Sequence, residues 1–270
     1  MGSGIAQVAA QTGLHTALYD VDEKKLRKAK ESIQSSLQQL VDKQKISAEE
    51  KKSIFNRIHF TNNINDCVAE IIIEAIIEKI ETKTDLFNQL AAINPPQTIF
   101  ASNTSSLSIA TIQAHVKNPE RVIGMHFFNP PTVMKLVEVI TTDKTNESTL
   151  NTILSLSKQM NKTPVVCKDS PGFIVNRVAR HYYLEAMELV ESGIATIENV
   201  DAVMEASGFK MGPFKLMDLI GLDVNLAVSQ SIYDAFNHEE RFKPSSIQQN
   251  KVAKNELGKK TGKGFYDYKS

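Results

Sequence analysis

With 270 residues the chain is long enough for two domains, and 31 basic against 31 acidic residues leave no net charge to draw it to nucleic acid or an anionic membrane. Its two cysteines, Cys67 and Cys167, stand far apart without a CxxC or zinc spacing, which points to free thiols in a reducing compartment and to no bound metal. The longest apolar run, over 71–77, is broken by Glu74 and is too short for a bilayer, and no basic leader precedes it, so a cytoplasmic protein is expected.

In chain order, residues 5–12 read as a helix stopped by Gly13, and 16–20 as a short strand that ends on Asp20. Over 23–45 the charge is high, but Leu26, Ile33, Leu37 and Leu40 form one apolar seam at helical spacing. Ser47-Ala48-Glu49-Glu50 is a capping box that opens a second helix, making a helical hairpin. By spacing alone the hairpin is equally a solvated excursion or a functional one. Strands are expected over 58–61, 70–77 and 98–101, with a helix over 82–93, and this alternation implies a parallel sheet with helical crossovers. The strands 122–128 and 135–140 are joined by a loop too short for a crossover and must be antiparallel. A helix over 147–160 and a strand over 164–167 close the domain. Pro171-Gly172 then punctuates the chain, and the rest reads as helices. The expected domains are 1–168 and 169–270.

Three constellations carry chemistry. Gly2 and Gly4 open a helix and Asp20 ends the next strand, an arrangement suited to a pyrophosphate at a helix N-terminus and a ribose beyond it. Val21 and Asp22 follow without an arginine, which favours NAD over NADP; Lys24 and Lys25 are the opposing signal. His126 and Glu138 lie equidistant from a turn centred near Thr132, so they face each other across the expected hairpin. A carboxylate beside an imidazole fixes its tautomer and raises its basicity, as proton removal from an alcohol requires. The same geometry also describes an ion pair that only holds the hairpin. Lastly, 101–106, Ala-Ser-Asn-Thr-Ser-Ser, leaves a strand and enters a helix at Leu107, collecting hydroxyls and backbone donors there, though a well-capped helix looks the same.

The motifs resemble those of the NAD-dependent 3-hydroxyacyl-CoA dehydrogenases over essentially the whole chain. Gly-Ser-Gly-Ile-Ala-Gln at 2–7 resembles the end of the family motif Gly-x-Gly-x-Met-Gly-x-Gly-Ile-Ala-Gln, with Met1 in the methionine position. By that comparison the first strand and first two glycines are missing, which would leave neighbouring strands unpaired. His-Phe-Phe-Asn-Pro at 126–130 and Met-Lys-Leu-Val-Glu-Val at 134–139 resemble the family's catalytic segment. The resemblance implies His126 as general base and Glu138 as its orienting partner. It implies Ser105 at the substrate hydroxyl and cofactor, Asn129 near the nicotinamide, and Ala75, Glu78 and Lys83 along the cofactor. Lys83 is otherwise one more exposed helix lysine. Asn176 matches the substrate-binding asparagine, and Ser36 and Lys43 match positions that contact the CoA moiety on the hairpin.

The implied fold is a Rossmann-like NAD-binding domain lacking its first strand, with a helical hairpin insertion, followed by an all-helical domain that pairs subunits as a homodimer. The implied reaction is oxidation of a short-chain L-3-hydroxyacyl-CoA, such as 3-hydroxybutyryl-CoA; a 3-hydroxyadipyl-CoA-type substrate is the alternative. Two rivals stay open: a non-catalytic relative that keeps the fold to bind NAD or CoA, and a dehydrogenase of small free hydroxyacids with a lysine base.

Overall fold

The computed structural model describes residues 1–268. The chain divides into two compact units, Met1–Asp169 and Ser170–Ser270.

In the first unit, α1 (Gly2–Gln11) is followed by β1 (Thr16–Tyr19), α2 (Glu23–Asp42), α3 (Ala48–Asn56) and β2 (Ile58–Thr61). The seam expected on α2 is real: Ile33 and Leu37 are buried, packing with Ala10, Ile54 and Ile58. At the start of α3 the capping box closes both ways, with Glu50 N–H donating to Ser47 Oγ and Ser47 N–H to Glu50 Oε2. Then come β3 (Ile71–Glu74), α4 (Ile80–Ile93), β4 (Ile99–Ser102), α5 (Ile109–Gln113), β5 (Val122–Phe127), β6 (Leu136–Thr141), α6 (Glu147–Gln159) and β7 (Thr163–Lys168).

The sheet order is β3-β4-β5-β6-β7, parallel except for the antiparallel β5–β6 pair, and β1 and β2 form a separate parallel pair. Among the described residues, β1 pairs only with β2 and β3 only with β4, so each keeps an open edge. The open edge is visible in burial: Ile71, Ile72 and Ile73 of β3 are half-buried, whereas every residue of the next strand, β4, is buried. The start of α1 lies between these edges, since a Cβ on Gly2 would sit 3.9 Å from Ala75 and 4.0 Å from Leu18. The core gathers Ile5, Val8 and Ala9 of α1 with Ala101, Met125, Val137 and Val139 of the sheet.

Two expected boundaries shift, both because a side chain captures a backbone donor. The strand expected over 70–77 stops at Glu74, whose carboxylate accepts the Ile76 N–H at 2.6 Å and turns the chain. The helix expected from Leu107 starts at Ile109, because Thr104 Oγ1 takes the Leu107 N–H and Ser108 is the N-cap.

The second unit contains α7 (Val175–Glu191), α8 (Ile197–Ala206), α9 (Pro213–Ile220), α10 (Leu222–Ala235) and α11 (Ser246–Ala253). Tyr183, Met187, Phe214, Met217 and Leu222 form its core. Its tail is tied by two buried carboxylates: Asp218 accepts the N–H groups of Phe265 and Tyr266, and Asp201 accepts the Tyr266 hydroxyl. No described helix is long and apolar enough to cross a membrane.

Candidate functional site

The β5–β6 register sets His126 directly opposite Glu138. The imidazole Nδ1 and Glu138 Oε2 are 2.8 Å apart, and the two residues are only 6 % and 1 % exposed. A carboxylate so buried beside a ring nitrogen favours the Nδ1–H tautomer and any imidazolium that forms. The ring is packed by Phe128, with centroids 4.6 Å apart. Beside it, Asn103 Oδ1 accepts the Phe127 N–H at 2.8 Å, joining the end of β5 to the loop after β4. That loop carries Ser105.

Glu78 holds the loop. Its Oε1 accepts the N–H groups of Ser105 at 2.9 Å and Ser106 at 3.2 Å, together with the Thr104 hydroxyl. Burial pushes the Glu78 carboxyl up, but the Thr104 hydroxyl, the Lys83 ammonium and the Ser105 N–H outweigh it and hold the carboxyl below its ordinary range. Lys83 is no exposed helix lysine. It is 1 % exposed and pairs with Glu74 at 2.7 Å and Glu78 at 3.2 Å. Glu74 completes the network by accepting from Ser102 Oγ at 2.7 Å. Lys83 thus spends its charge on two carboxylates, and Ala75 follows directly at the end of β3.

Around the start of α1, the helix has no side-chain cap, so its first N–H groups and dipole are presented to an anion. Gly4 is needed here for close approach: a Cβ would come within 3.0 Å of the Pro131 ring. Asp20 lies just past β1, and its Oδ1 accepts the Asp22 N–H at 3.0 Å. Helix start, small residues and strand-end carboxylate together fit the pyrophosphate and ribose of NAD. Gly4, Ser36 and Asn129 line one cavity of about 190 Å³ with Ser3, Gln7 and Pro131. Gln7 Nε2 donates to Ser36 Oγ at 3.0 Å, fixing that hydroxyl. Lys43 is not part of this lining; it lies exposed at the C-cap of α2, about 10 Å along the helix from Ser36. Asn176 belongs to the second unit, in the first turn of α7, and its carbonyl accepts from Arg180 Nε at 3.2 Å.

Sequence reasoning did not select Asn103, Gln7 or Glu74. Glu74 had a signal, a lone carboxylate inside an apolar strand. Asn103 and Gln7 had none beyond their neighbours, because each acts through one tertiary hydrogen bond.

The family described as "3-hydroxyacyl-CoA dehydrogenase, NAD binding domain" matches residues 1–170, and "3-hydroxyacyl-CoA dehydrogenase, C-terminal domain" matches residues 172–268. A 3-hydroxyadipyl-CoA dehydrogenase of Escherichia coli strain K12 is 46% identical over 100% of this chain, which spans 57% of that protein's length. The mitochondrial hydroxyacyl-coenzyme A dehydrogenase of Sus scrofa is 40% identical, with 100% of this chain and 88% of that protein covered. The crystal structure of an (S)-3-hydroxybutyryl-CoA dehydrogenase from Ralstonia eutropha superposes with a TM-score of 0.96 at 38% identity, covering 100% of this chain and 96% of that one. With both parts of the chain matched and the His126–Glu138 pair formed, this protein belongs to the NAD-dependent 3-hydroxyacyl-CoA dehydrogenase family.

Proposed function

We propose that the protein catalyses the reversible, NAD-dependent oxidation of a short-chain L-3-hydroxyacyl-CoA to the 3-ketoacyl-CoA. The observation that carries this reading is the buried contact between His126 and Glu138, 2.8 Å across paired strands. In the oxidation His126 removes the hydroxyl proton of the substrate through Nε2, while Glu138 at Nδ1 stabilises the imidazolium that results. The hydride from the carbinol carbon goes to NAD, which is the chemistry the bound cofactor supplies. Ser105, on the loop that Glu78 ties down, orients the substrate hydroxyl, so that positioning lowers the barrier as well as proton transfer. Gly2, Gly4 and Asp20 take the dinucleotide, with Ala75, Glu78, Lys83 and Asn129 along its length. Ser36 and Lys43 contact the CoA moiety along α2.

A lysine-base mechanism gains no support here. The buried Lys83 is committed to Glu74 and Glu78, and of the four residue pairs that face each other across β5 and β6 the ionisable one is the imidazole and carboxylate of His126 and Glu138. The relation to the Escherichia coli protein favours a second substrate reading, a 3-hydroxyadipyl-CoA-type dicarboxylic acyl chain. Exposed Val178, Ile194, Val203 and Phe209 give the second unit an apolar surface that suits a homodimer, and cytoplasm is the proposed location.

The test is NADH consumption with acetoacetyl-CoA, run for the protein and for His126→Gln. Turnover that collapses in the variant supports the reading. NADH binding without turnover in the folded protein would move it to a non-catalytic role, and a higher kcat/KM for the 3-ketoadipyl thioester would select the dicarboxylic substrate.

A further inference from the structure

Lys162 lies between α6 and β7 and is 8 % exposed, yet among the described residues it forms no ion pair with a carboxylate. Its ammonium instead donates to two backbone carbonyls of the β5–β6 loop, those of Pro131 and Met134, the latter at 2.8 Å. Burying a lysine head without a counter-charge is costly, and what this one gains is the conformation of that loop. Burial, helped by the nearby Lys135, pulls its pKa below the ordinary lysine value.

The loop does little to anchor itself. Val133 and Met134 are 68% and 40% exposed, and of the residues between Asn129 and Leu136 only Pro131 is buried. Within the loop, the Pro130 carbonyl accepts the N–H groups of Val133 and Met134, both at 3.0 Å, which makes a turn but fixes it to nothing. At its far end Thr163 N–H donates to the Lys135 carbonyl at 2.8 Å, where β7 begins. Lys162 therefore supplies the ties between the middle of the loop and the body of the unit, and Pro131, one of the tied residues, rests on Gly4. Asn129, Pro130, Pro131 and Thr132 form one wall of the cavity whose other side carries Gly4 and Ser36.

We infer that Lys162 is a positioning residue for ligand binding: by holding the Pro131 and Met134 carbonyls it fixes the loop wall of the cavity where Gly4 and Asn129, assigned to the dinucleotide, meet Ser36, assigned to the CoA moiety, and so sets that cavity's width for both ligands. This deepens the reading given under Proposed function and rests on it. The His126–Glu138 pair is held by strand register and not by this loop, so the effect of Lys162 falls on binding of the acyl-CoA and the dinucleotide and not on proton transfer.

The experiment compares the protein with Lys162→Met and Lys162→Gln in two measurements. Amide hydrogen exchange at Val133 and Met134, without substrate, is expected to quicken roughly tenfold in the folded variants as the two hydrogen bonds go. In the same variants KM for acetoacetyl-CoA and KM for NADH are both expected to rise, roughly tenfold, while kcat stays within about threefold. Unchanged exchange and unchanged KM in a folded variant would overturn the inference, as would a fall in kcat alone. Failure of both variants to fold would assign Lys162 to general stability and overturn it too. Should the unsubstituted protein show no turnover, the activity reading fails, while the exchange measurement still decides whether Lys162 holds the loop.

Discussion

His126 Nδ1 and Glu138 Oε2 meet at 2.8 Å because the two residues are direct cross-strand partners in an antiparallel pair. The pair is assembled by backbone register, so each side chain can be changed without moving the other's backbone. His126→Gln is expected to lower kcat by roughly 10³-fold with folding intact. Glu138→Gln keeps the shape and loses the charge that orients the imidazole, and should lower kcat by about 10²-fold. Steady-state kinetics check both.

Glu78 makes stability depend on pH. Burial pushes its carboxyl up, but Thr104, Lys83 and the Ser105 N–H together hold it below the ordinary range, so its folded pKa lies under its unfolded one. Such a group stabilises the fold above the ordinary glutamate range, and that contribution is lost as pH falls through the lowered folded value. Urea denaturation of the protein and of Glu78→Gln should therefore differ most near neutral pH and converge as the pH falls below the ordinary glutamate range. A gap that widens on acidification would contradict this.

The tail of the second unit hangs on Asp218. It accepts the N–H groups of Phe265 and Tyr266, both at 2.9 Å, and the Tyr268 hydroxyl at 3.1 Å. Asp218→Ala strands these donors and should cost about 3–5 kcal/mol, read by chemical denaturation. Burial and the Asp218 carboxylate push the Tyr268 hydroxyl well above the ordinary tyrosine value. The variant should therefore show ionisation of Tyr268 at lower pH, which ultraviolet absorbance follows.

Gly124, two residues before His126, has no room for a methyl group. A Cβ there would lie 2.7 Å from the Cβ of Ile140 and 3.1 Å from Ile109 Cδ1. Gly124→Ala is expected to cost about 1–3 kcal/mol by overpacking and to lower activity by displacing the end of β5. Thermal unfolding and kcat measured together test this.

Cys167 should be a poor nucleophile. Burial, then Glu138 and Asp169, push its thiol up from 9.0 to about 11, leaving about 100-fold less thiolate at neutral pH than an ordinary thiol. Alkylation by iodoacetamide in the folded protein should be correspondingly slow and should recover on denaturation.

Much of this was legible in the sequence because it depends on short range. The capping box at Ser47 and Glu50, the seam of Ile33 and Leu37, and the facing of His126 and Glu138 all follow from spacing within one helix or one hairpin. What escaped depends on which donor or partner a polar side chain takes, which spacing does not fix. Glu74 ended its strand by taking the Ile76 N–H, and Thr104 and Ser108 delayed the start of α5. Spacing alone does not separate Lys83 from an exposed helix lysine, because its partners, Glu74 on β3 and Glu78 beyond it, lie off its own helix. The roles of Ser36 and Lys43 rested on resemblance, and only Ser36 lines the cavity beside α1.

The reversed pairing of β5 and β6 within a sheet that is otherwise parallel has a kinetic side. Parallel neighbours wait for a long crossover to wrap, but an antiparallel pair needs only a short loop to close, and closures of that size take microseconds or less. His126 and Glu138 are separated by just 12 positions along the chain. During folding they can find each other before the crossovers are complete, so the most demanding alignment in the protein is entrusted to its most local piece of sheet.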